Sequence, residues 1–407
     1  MATTTNQAIT PPKRSAAPAA TGRLVSLDAL RGFDMLWIMG LDEVLRGVAA
    51  ASGSPSLAWI PVQLEHLDWE GFHFYDLIFP LFLFMIGVSI PFALGKRIAR
   101  GDSRGSIYRH VMLRVAIMIV LGMMVNGNLL TYDHSKFALS YSVLQMLALG
   151  YLMASLLFLN LRLRGQIIAT IAMLVGYWAL LAFVPGPGHE IGKFRDGCNL
   201  GDWITEFLVG KWYWEGQVVQ VGWVLGILGH ASTAMLGVFA GGLLRSSLPS
   251  WRKVCLLVVL GLGCLLAAVF WCGWVAEQWP HVKLFGVNWT DWPVWFPIIK
   301  LRWTSTYALY AGGWSCLLLA LFYLVIDVWG IRRWTLFFVV IGANSIFAYM
   351  CWQLGHDVFR STAEIFLGGL KLYISRPWYE PISWAGATLT FWLLLWYLYR
   401  NKTFIRV

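Results

Sequence analysis

The residues best suited to chemistry fall in two short stretches near the start of the chain. The first runs from position 26 to Asp34 and is followed by Asp42. At about 100° per residue, Asp28, Arg31 and Asp42 share one narrow stripe of a helix. Ionisable groups are costly inside an apolar helix, so the stripe predicts a functional face. The alternative is an ion pair of Asp28 with Arg31 that anchors the helix end, which leaves Asp34 and Asp42 unexplained.

The second stretch places a histidine among acidic residues. His66 is preceded by Glu65 and followed by Asp68 and Glu70, and Asp76 opens the next apolar run. A carboxylate that hydrogen-bonds one ring nitrogen orients an imidazole, which can then act as a base. The alternative is a solvated loop histidine without a catalytic role. The stretch suggests acid–base chemistry without specifying a reaction.

Further polar residues occur in or beside the later apolar runs. His230 and Asn344 are candidates for buried functional groups, and His356 lies near an outer helix end. Lys300 and Arg302 are interpreted as ordinary anchors at the membrane interface. The roles of His230 and His356 stay open.

The composition indicates that lipid is the main solvent of the chain. Of 407 residues, 58% are hydrophobic and 13% are charged, whereas soluble domains carry about 25% charged residues. The formal net charge of +10 comes mostly from short segments between apolar runs, which favours orientation charges over nucleic-acid binding. The sequence has no Walker-type phosphate loop, no metal-ligand spacing and no Gly-x-Ser-x-Gly elbow. ATP hydrolysis, a metal centre and serine hydrolase chemistry are therefore not expected.

The apolar runs predict an all-α, polytopic bundle of transmembrane helices. A helix needs about 20 apolar residues to cross the hydrocarbon, and on this basis we predict about ten spans. They lie near residues 27–48, 75–95, 110–130, 141–160, 166–184, 218–244, 253–274, 304–327, 335–356 and 382–399. The stretch 361–375 is shorter and more mixed, and is predicted as a re-entrant or interfacial helix. Residues 1–22 are predicted to be a disordered cytoplasmic tail, and residues 23–407 to form one transmembrane domain.

The distribution of basic residues predicts the orientation of the bundle. With the amino terminus inside, every cytoplasmic segment carries Lys or Arg, and an even number of spans returns the carboxyl terminus to the same side. The outer segments 49–74, 185–217 and 275–303 are long and predict elaborated structure on the outer face. We expect a multi-pass protein of the inner (cytoplasmic) membrane, because the sequence shows no targeting signal.

Three blocks of residues near the start resemble a known family. Arg23-Leu-Val-Ser-Leu-Asp-Ala-Leu-Arg-Gly-Phe-Asp34 is followed by His66-Leu-Asp-Trp-Glu-Gly71 and by Asp76-Leu-Ile-Phe-Pro80. In this order and spacing they resemble the heparan-α-glucosaminide N-acetyltransferase family. Shorter pieces at 142–145, 300–304, 326–328 and 342–349 look similar too, so the resemblance runs from about Arg23 to the carboxyl terminus. The opening Leu-Asp-x-Leu-Arg-Gly alone is less specific, because other membrane acyltransferases share something like it.

The resemblance implies acetyl transfer across the membrane. Members of the family take acetyl-CoA from the cytosol and acetylate a terminal glucosamine amine on the far side. The active-site histidine of the family maps onto His66. An asparagine near the outer end of its first helix appears here as Asp42, which we expect to orient His66. The Asp-Pro-Glu-Gly motif of the family has only a partial match in Trp214-Glu-Gly-Gln217, so the acceptor stays open.

Together, these arguments predict three groups of site residues. The predicted catalytic pair is His66 with Asp42. The acetyl-CoA phosphates are expected at the basic inner segment and the pantetheine arm along the first helix, so the donor-binding group comprises Asp28, Arg31, Lys96, Arg97, Arg109 and Arg114. An amino-sugar or glycan acceptor is expected to bind Glu65, Asp68, Trp69, Asp76 and Asp34.

Two other functions stay open at the level of the sequence. An O-acyltransferase of a surface polysaccharide would use the same donor with a hydroxyl acceptor. A secondary transporter for a sugar or organic cation would use Asp34 and Asp42 as proton or substrate sites and would not bind CoA. Direct transfer and an acetyl-histidine intermediate both fit an acyltransferase, and the chain is compatible with a homodimer.

Overall fold

The computed structural model describes residues 24–125, 142–188, 194, 199–209, 213–214, 217–218, 223–273, 283–284, 287–288 and 295–405. Over these ranges the regular structure is helical, apart from two antiparallel hairpins of two-residue strands. The first pairs β1 (Tyr213–Trp214) with β2 (Gln217–Val218), and the second pairs β3 (Lys283–Leu284) with β4 (Val287–Asn288). The predicted all-α fold is confirmed, and the predicted tail 1–22 lies outside the described residues.

The described residues include fourteen α-helices. In chain order they are α1 (Val25–Leu36), α2 (Asp42–Ser52), α3 (Trp59–Leu64), α4 (Ile78–Ala99), α5 (Arg104–Val125), α6 (Val143–Asn160), α7 (Leu163–Phe183), α8 (Leu200–Val209), α9 (Trp223–Arg245), α10 (Ser250–Trp271), α11 (Ser305–Tyr323), α12 (Thr335–Gly342), α13 (Ser345–Leu367) and α14 (Arg376–Arg400). A π-helical segment, Trp37–Leu41, joins α1 to α2, and a second, Leu324–Val328, follows α11. Single 3-10 turns lie at Pro55–Leu57, Phe74–Leu77 and Gly368–Leu372.

Within the described ranges, 8 helices are long and apolar enough to cross a membrane. They are Phe74–Ala99, Arg104–Val125, Val143–Asn160, Leu163–Phe183, Val224–Arg245, Ser250–Trp271, Ser305–Val328 and Arg376–Arg400. A further pair, Thr335–Gly342 with Ser345–Leu372, meets the same test together but is bent by 77°. The chain is therefore a multi-pass membrane protein. The count of about ten spans and the orientation stay predictions.

The first predicted span is interrupted at Gly40 and is not among these helices. The backbone φ of Gly40 is +96°, a conformation that favours glycine. A side-chain carbon there would also come within 2.9 Å of the Trp352 ring. The π-helical turn and Gly40 change the direction in which the following side chains point around the helix axis. Asp28 and Asp42 therefore do not lie on one straight stripe, contrary to the expectation from the sequence.

The ninth predicted span breaks at Asn344, between α12 and α13. The Asn344 side-chain amide donates to the carbonyl of Thr403 (3.1 Å), and its side-chain oxygen accepts from the amide of Ile405 (2.9 Å). Asn344, at the break, thus hydrogen-bonds the carboxyl-terminal segment to the bundle. Because α13 continues to Leu367, most of the stretch predicted as a separate helix at 361–375 is the end of α13 and the turn that follows it.

The predicted inner loop at 96–109 is shorter than expected. α4 extends to Ala99 and α5 begins at Arg104, so Lys96, Arg97 and Arg109 lie on helix ends. Gly101, with a φ of +82°, makes the tight reversal between the two helices.

α4 lies at the centre of the bundle and connects its two ends. It packs closely on α9, because a side-chain carbon at Gly237 or Gly241 would collide with the backbone of Phe84 or Val88. Asp76 precedes the first turn of α4, and Lys96 lies in its last turn. At 1.5 Å per residue these residues are about 30 Å apart, which is the thickness of the hydrocarbon core.

Candidate active site

The turn before α4 fixes the position of Asp76. The His73 backbone N–H donates to Asp76 Oδ2 (3.0 Å), and the Asp76 backbone N–H donates to the carbonyl of His73 (3.0 Å). The Tyr307 hydroxyl donates to the Asp76 carbonyl (2.7 Å). A capped turn and a buried tyrosine therefore hold this carboxylate in place.

Asp76 brings His66 and Lys300 together. The His66 Nδ1 and Asp76 Oδ1 atoms are 2.8 Å apart, and Lys300 Nζ donates to the same carboxylate oxygen at 3.0 Å. Lys300 Nζ also lies 2.7 Å from Nδ1 and 3.2 Å from Nε2 of His66. Two such similar distances place the ammonium group against the face of the imidazole ring. The three side chains form one cluster, which we call the His66 cluster.

The His66 cluster has a buried acid and an open base. The Asp76 side chain is 1% exposed, that of Lys300 is 18% exposed and that of His66 is 53% exposed. With Asp76 ionised, the hydrogen-bond pattern assigns the proton on the ring to Nδ1, which leaves the lone pair on Nε2. Burial lowers the pKa of the Lys300 ammonium group, and the Asp76 carboxylate offsets part of this effect.

The strand-like segment before α11 positions Lys300. The Gly71 amide donates to the Ile298 carbonyl (2.9 Å), which joins this segment to the loop of His66. The Thr304 hydroxyl accepts from the Ile299 amide (3.1 Å), and the Trp303 indole N–H donates to the Thr233 hydroxyl (3.0 Å). Lys300, interpreted from the sequence as an interfacial anchor, is therefore a member of the His66 cluster. The resemblance at 300–304 was the signal in the sequence that pointed to it.

Asp42 does not contact His66 directly, contrary to the expectation from the sequence. Its carboxylate pairs with Arg46 on the next turn of α2 (3.2 Å) and bonds the Tyr75 hydroxyl. The Tyr75 ring centroid is 4.9 Å from that of His66. Tyr75 thus lies between Asp42 and the imidazole of His66. The carboxylate that contacts the ring is that of Asp76, which the sequence assigned to acceptor binding.

A buried ion pair closes one side of the site. Arg302 Nε lies 2.9 Å from Asp202 Oδ1, and each side chain is 2% exposed. The Arg302 guanidinium also lies 4.9 Å from the centre of the Trp69 ring. Arg302 therefore links α8 to the loop of His66 and is not an interfacial anchor. Trp69 is partly buried at this wall, while Glu65 and Asp68 are exposed on the same loop.

His230, left open from the sequence, supports this segment from inside the bundle. Its ring stacks on Trp303 with a centroid distance of 4.1 Å, and its Nδ1 atom lies 2.6 Å from the Gly226 carbonyl. His356 lies on α13, where its ring stacks on that of Trp384.

The predicted donor-binding residues lie towards the other end of α4. Asp28 and Arg31 form an ion pair of 3.5 Å on α1, and Arg31 also bonds Ser89 on α4. Arg97 pairs with Asp102 (3.4 Å), and Arg114 lies over the Tyr151 ring at 4.5 Å. The remaining members, Lys96 and Arg109, are exposed.

Within the described part of the chain, no group of three or more His, Cys, Asp or Glu side chains is placed to hold a metal ion.

Comparisons with known proteins support a distant relationship of this chain to two curated N-acetyltransferases. No family model matches the chain. It is similar to heparan-alpha-glucosaminide N-acetyltransferase of Homo sapiens and of Mus musculus, with 25% identity over 397 residues in both cases. The similarity covers 84% of this chain and 56% of each relative. The chain spans about half the length of these curated relatives, and it is distantly related to them.

Proposed function

We propose that the protein is a membrane acetyltransferase that moves an acetyl group from cytosolic acetyl-CoA to an amino sugar on the other side of the membrane. The observation that carries the proposal is the His66 cluster, an exposed imidazole held by a buried carboxylate at one end of α4. Basic residues lie at the opposite end of the same helix. The distant relationship to N-acetyltransferases supports this assignment.

His66 acts as the base in the proposed reaction. The ammonium group of the acceptor first loses one proton to solvent. The neutral amine then attacks the carbonyl carbon of the thioester, and Nε2 of His66 takes a second proton from the nitrogen. The carbon–sulfur bond of the tetrahedral intermediate then breaks, and the proton passes from His66 to the sulfur of CoA. An acetyl-histidine intermediate would use the same residue as nucleophile instead.

Asp76 and Lys300 support His66 in different ways. Asp76 accepts from Nδ1–H and so keeps the lone pair on Nε2, and it stabilises the imidazolium that forms. The Lys300 ammonium group donates to Asp76 and lies against the ring, where it stabilises negative charge on the carbonyl oxygen. Asp42 acts through Tyr75 and is a positioning residue.

Donor and acceptor bind at opposite ends of α4. The CoA phosphates bind at the basic cluster of Lys96, Arg97, Arg109 and Arg114, to which Arg31 and Asp28 connect along α1. The acceptor binds in front of His66, where Glu65 and Asp68 attract an ammonium group and Trp69 offers a ring to a sugar. The partial motif at 214–217 includes Glu215 and Gly216, which lie outside the described residues, and it contributes nothing to this assignment.

A panel of acceptors tests the proposed function. Purified protein in nanodiscs receives radiolabelled acetyl-CoA with glucosamine, N-acetylglucosamine or glucose. We expect label on glucosamine alone, because the other two sugars lack a free amine. Label on all three would identify an O-acyltransferase. Absence of CoA binding would contradict the proposal and favour the transporter. Transfer in proteoliposomes with the donor on one side only would test the predicted orientation.

A further inference from the structure

A polar group occurs at every third position along α1 and into the first residue of the π-helical segment that follows it. Asp28 and Arg31 are followed by Asp34 and Trp37. Each step of three residues rises by about 4.5 Å and turns the side chain by about 60°. The four side chains therefore form a ridge that winds by about 180° around the helix, from the ion pair of Asp28 with Arg31 to the π-helical segment that contains Gly40.

Asp34 and Trp37 bury polar atoms that have no hydrogen-bond partner within the described part of the chain. Asp34 is 0% exposed, and neither of its carboxyl oxygens has a hydrogen-bond partner among the described residues. The Nε1 atom of Trp37 is also buried and has none there. Leaving a buried polar group unsatisfied costs about 1–3 kcal/mol. Such groups are rare in folded proteins, and each needs an explanation.

Arg31 and Asp34 face α4 rather than α12. The Arg31 guanidinium reaches Ser89 on α4, whereas a side chain at Gly32 would collide with Phe338 on α12. Asp34 lies about 60° from Arg31 and about 160° from Gly32 around the helix. It is therefore turned towards the central helix of the bundle.

Trp37 connects the ridge to the His66 cluster. Its ring centroid lies 4.7 Å from that of Phe74, the first residue of the turn that carries Asp76. Arg31 and Trp37 are partly exposed, while Asp34 between them is enclosed. Asp34 is thus one helical turn from an accessible residue on either side, which is the arrangement expected of a constriction.

We propose that the pantetheine arm of acetyl-CoA passes between the basic residues at the end of α4 and the His66 cluster, and that Asp34 and Trp37 form the constriction of this path. Asp34 and Trp37 bind the amide groups of the pantetheine arm there. This inference rests on the proposed function and moves Asp34 from the acceptor to the donor. The pantetheine arm carries amide N–H and C=O groups and no charge. The Asp34 carboxyl group accepts from an amide N–H, and the Trp37 indole donates to an amide oxygen. The donor thus satisfies both groups when it passes between α1 and α4.

The test measures CoA and pantetheine affinity in three variants. Asp34→Leu removes the acceptor, Trp37→Phe removes the donor and keeps an aromatic ring, and Asp34→Asn keeps an oxygen acceptor. We expect Asp34→Leu and Trp37→Phe each to weaken the binding of both ligands by about five- to tenfold, the effect of one hydrogen bond. Asp34→Asn should retain most of the affinity. Leu36→Met, a conservative change at a buried residue about 160° from Asp34 around the helix, is the matched control and should bind as the wild type does.

A second measurement separates a binding role from a structural one. Asp34→Leu removes an unsatisfied buried group, so its melting temperature without ligand should be above that of the wild type. A residue needed only for folding would show the opposite change. Trp37→Phe decides the question if Asp34→Leu does not fold.

The outcomes distinguish this inference from the proposed function. If the wild type does not bind CoA, the proposed function is wrong and the inference with it. If the wild type binds CoA, and Asp34→Leu and Trp37→Phe bind CoA and pantetheine with unchanged affinity, the inference alone is wrong. A change in the KM of glucosamine with an unchanged CoA affinity would also overturn it, because it would return Asp34 to the acceptor.

Discussion

The His66 Nδ1 and Asp76 Oδ1 atoms are 2.8 Å apart, and only the histidine is open to solvent. The carboxylate is held by the His73 amide and by Lys300, so its position does not depend on the imidazole. This division gives the site a fixed acid and an accessible base.

Replacement of Asp76 should reduce activity far more than replacement of Asp42. Asp76→Asn removes the charge and allows the amide to favour the wrong tautomer of His66, so we expect kcat to fall by about 10²- to 10⁴-fold. Asp42→Asn keeps a hydrogen bond to Tyr75, and a loss of about tenfold or less is expected. Steady-state kinetics of both variants measures the difference. Equal losses would contradict the assignment of Asp76 as the carboxylate that orients His66.

The pH profile should report the charge of Lys300. Burial lowers the pKa of this ammonium group, so it loses its proton at a pH below the ordinary range of lysine. The protonated form is the active one in our mechanism. Activity should therefore decline as the pH rises through that lowered pKa. Lys300→Arg stays charged, and its profile should lack this alkaline decline even if its rate is lower. An unchanged alkaline limb in Lys300→Arg would assign the decline to another group.

The buried pair of Arg302 with Asp202 should show strong coupling in thermal unfolding. Removing either partner leaves a buried charge, and we expect Arg302→Met or Asp202→Leu to destabilise the protein by about 3–5 kcal/mol. The double variant should recover most of the loss, because two apolar residues replace the pair. Melting curves in detergent complete the double-mutant cycle. Additive losses would mean that the two residues act independently.

Gly40→Ala should test the kink of the first span. The φ of +96° strains any side chain, and a Cβ atom would approach the Trp352 ring at 2.9 Å. Gly53 has a φ of +59° and open space around it. Gly53→Ala therefore measures backbone strain alone, about 1–2 kcal/mol. We expect Gly40→Ala to lower the melting temperature more than Gly53→Ala. Similar shifts for the two variants would show that the contact with Trp352 is unimportant.

Local features of the bundle and of the site were predictable from the sequence. Apolar runs predict membrane helices because each run must satisfy its own backbone in lipid. The acidic surroundings of His66 predicted an oriented imidazole, and the distance to Asp76 agrees with that expectation.

Contacts between distant segments were not predictable. Lys300 is 234 positions from His66, and no local pattern links them. The identity of the orienting carboxylate depended on the kink at Gly40 and on the capture of Asp42 by Arg46. The break at Asn344 depends in the same way on a contact with Thr403, at the far end of the chain. Each of these features arises from tertiary packing, which composition and periodicity do not encode.

The most direct test of the central claim is single-turnover transfer of radiolabelled acetyl from acetyl-CoA to glucosamine by a His66→Ala variant. His356→Ala, which changes a histidine on α13 outside the site, is the matched control. We expect His66→Ala to bind CoA with the affinity of the wild type and to transfer no label above background, while His356→Ala transfers label at the rate of the wild type. Transfer by His66→Ala at the rate of the wild type would contradict the assignment of His66 as the catalytic base.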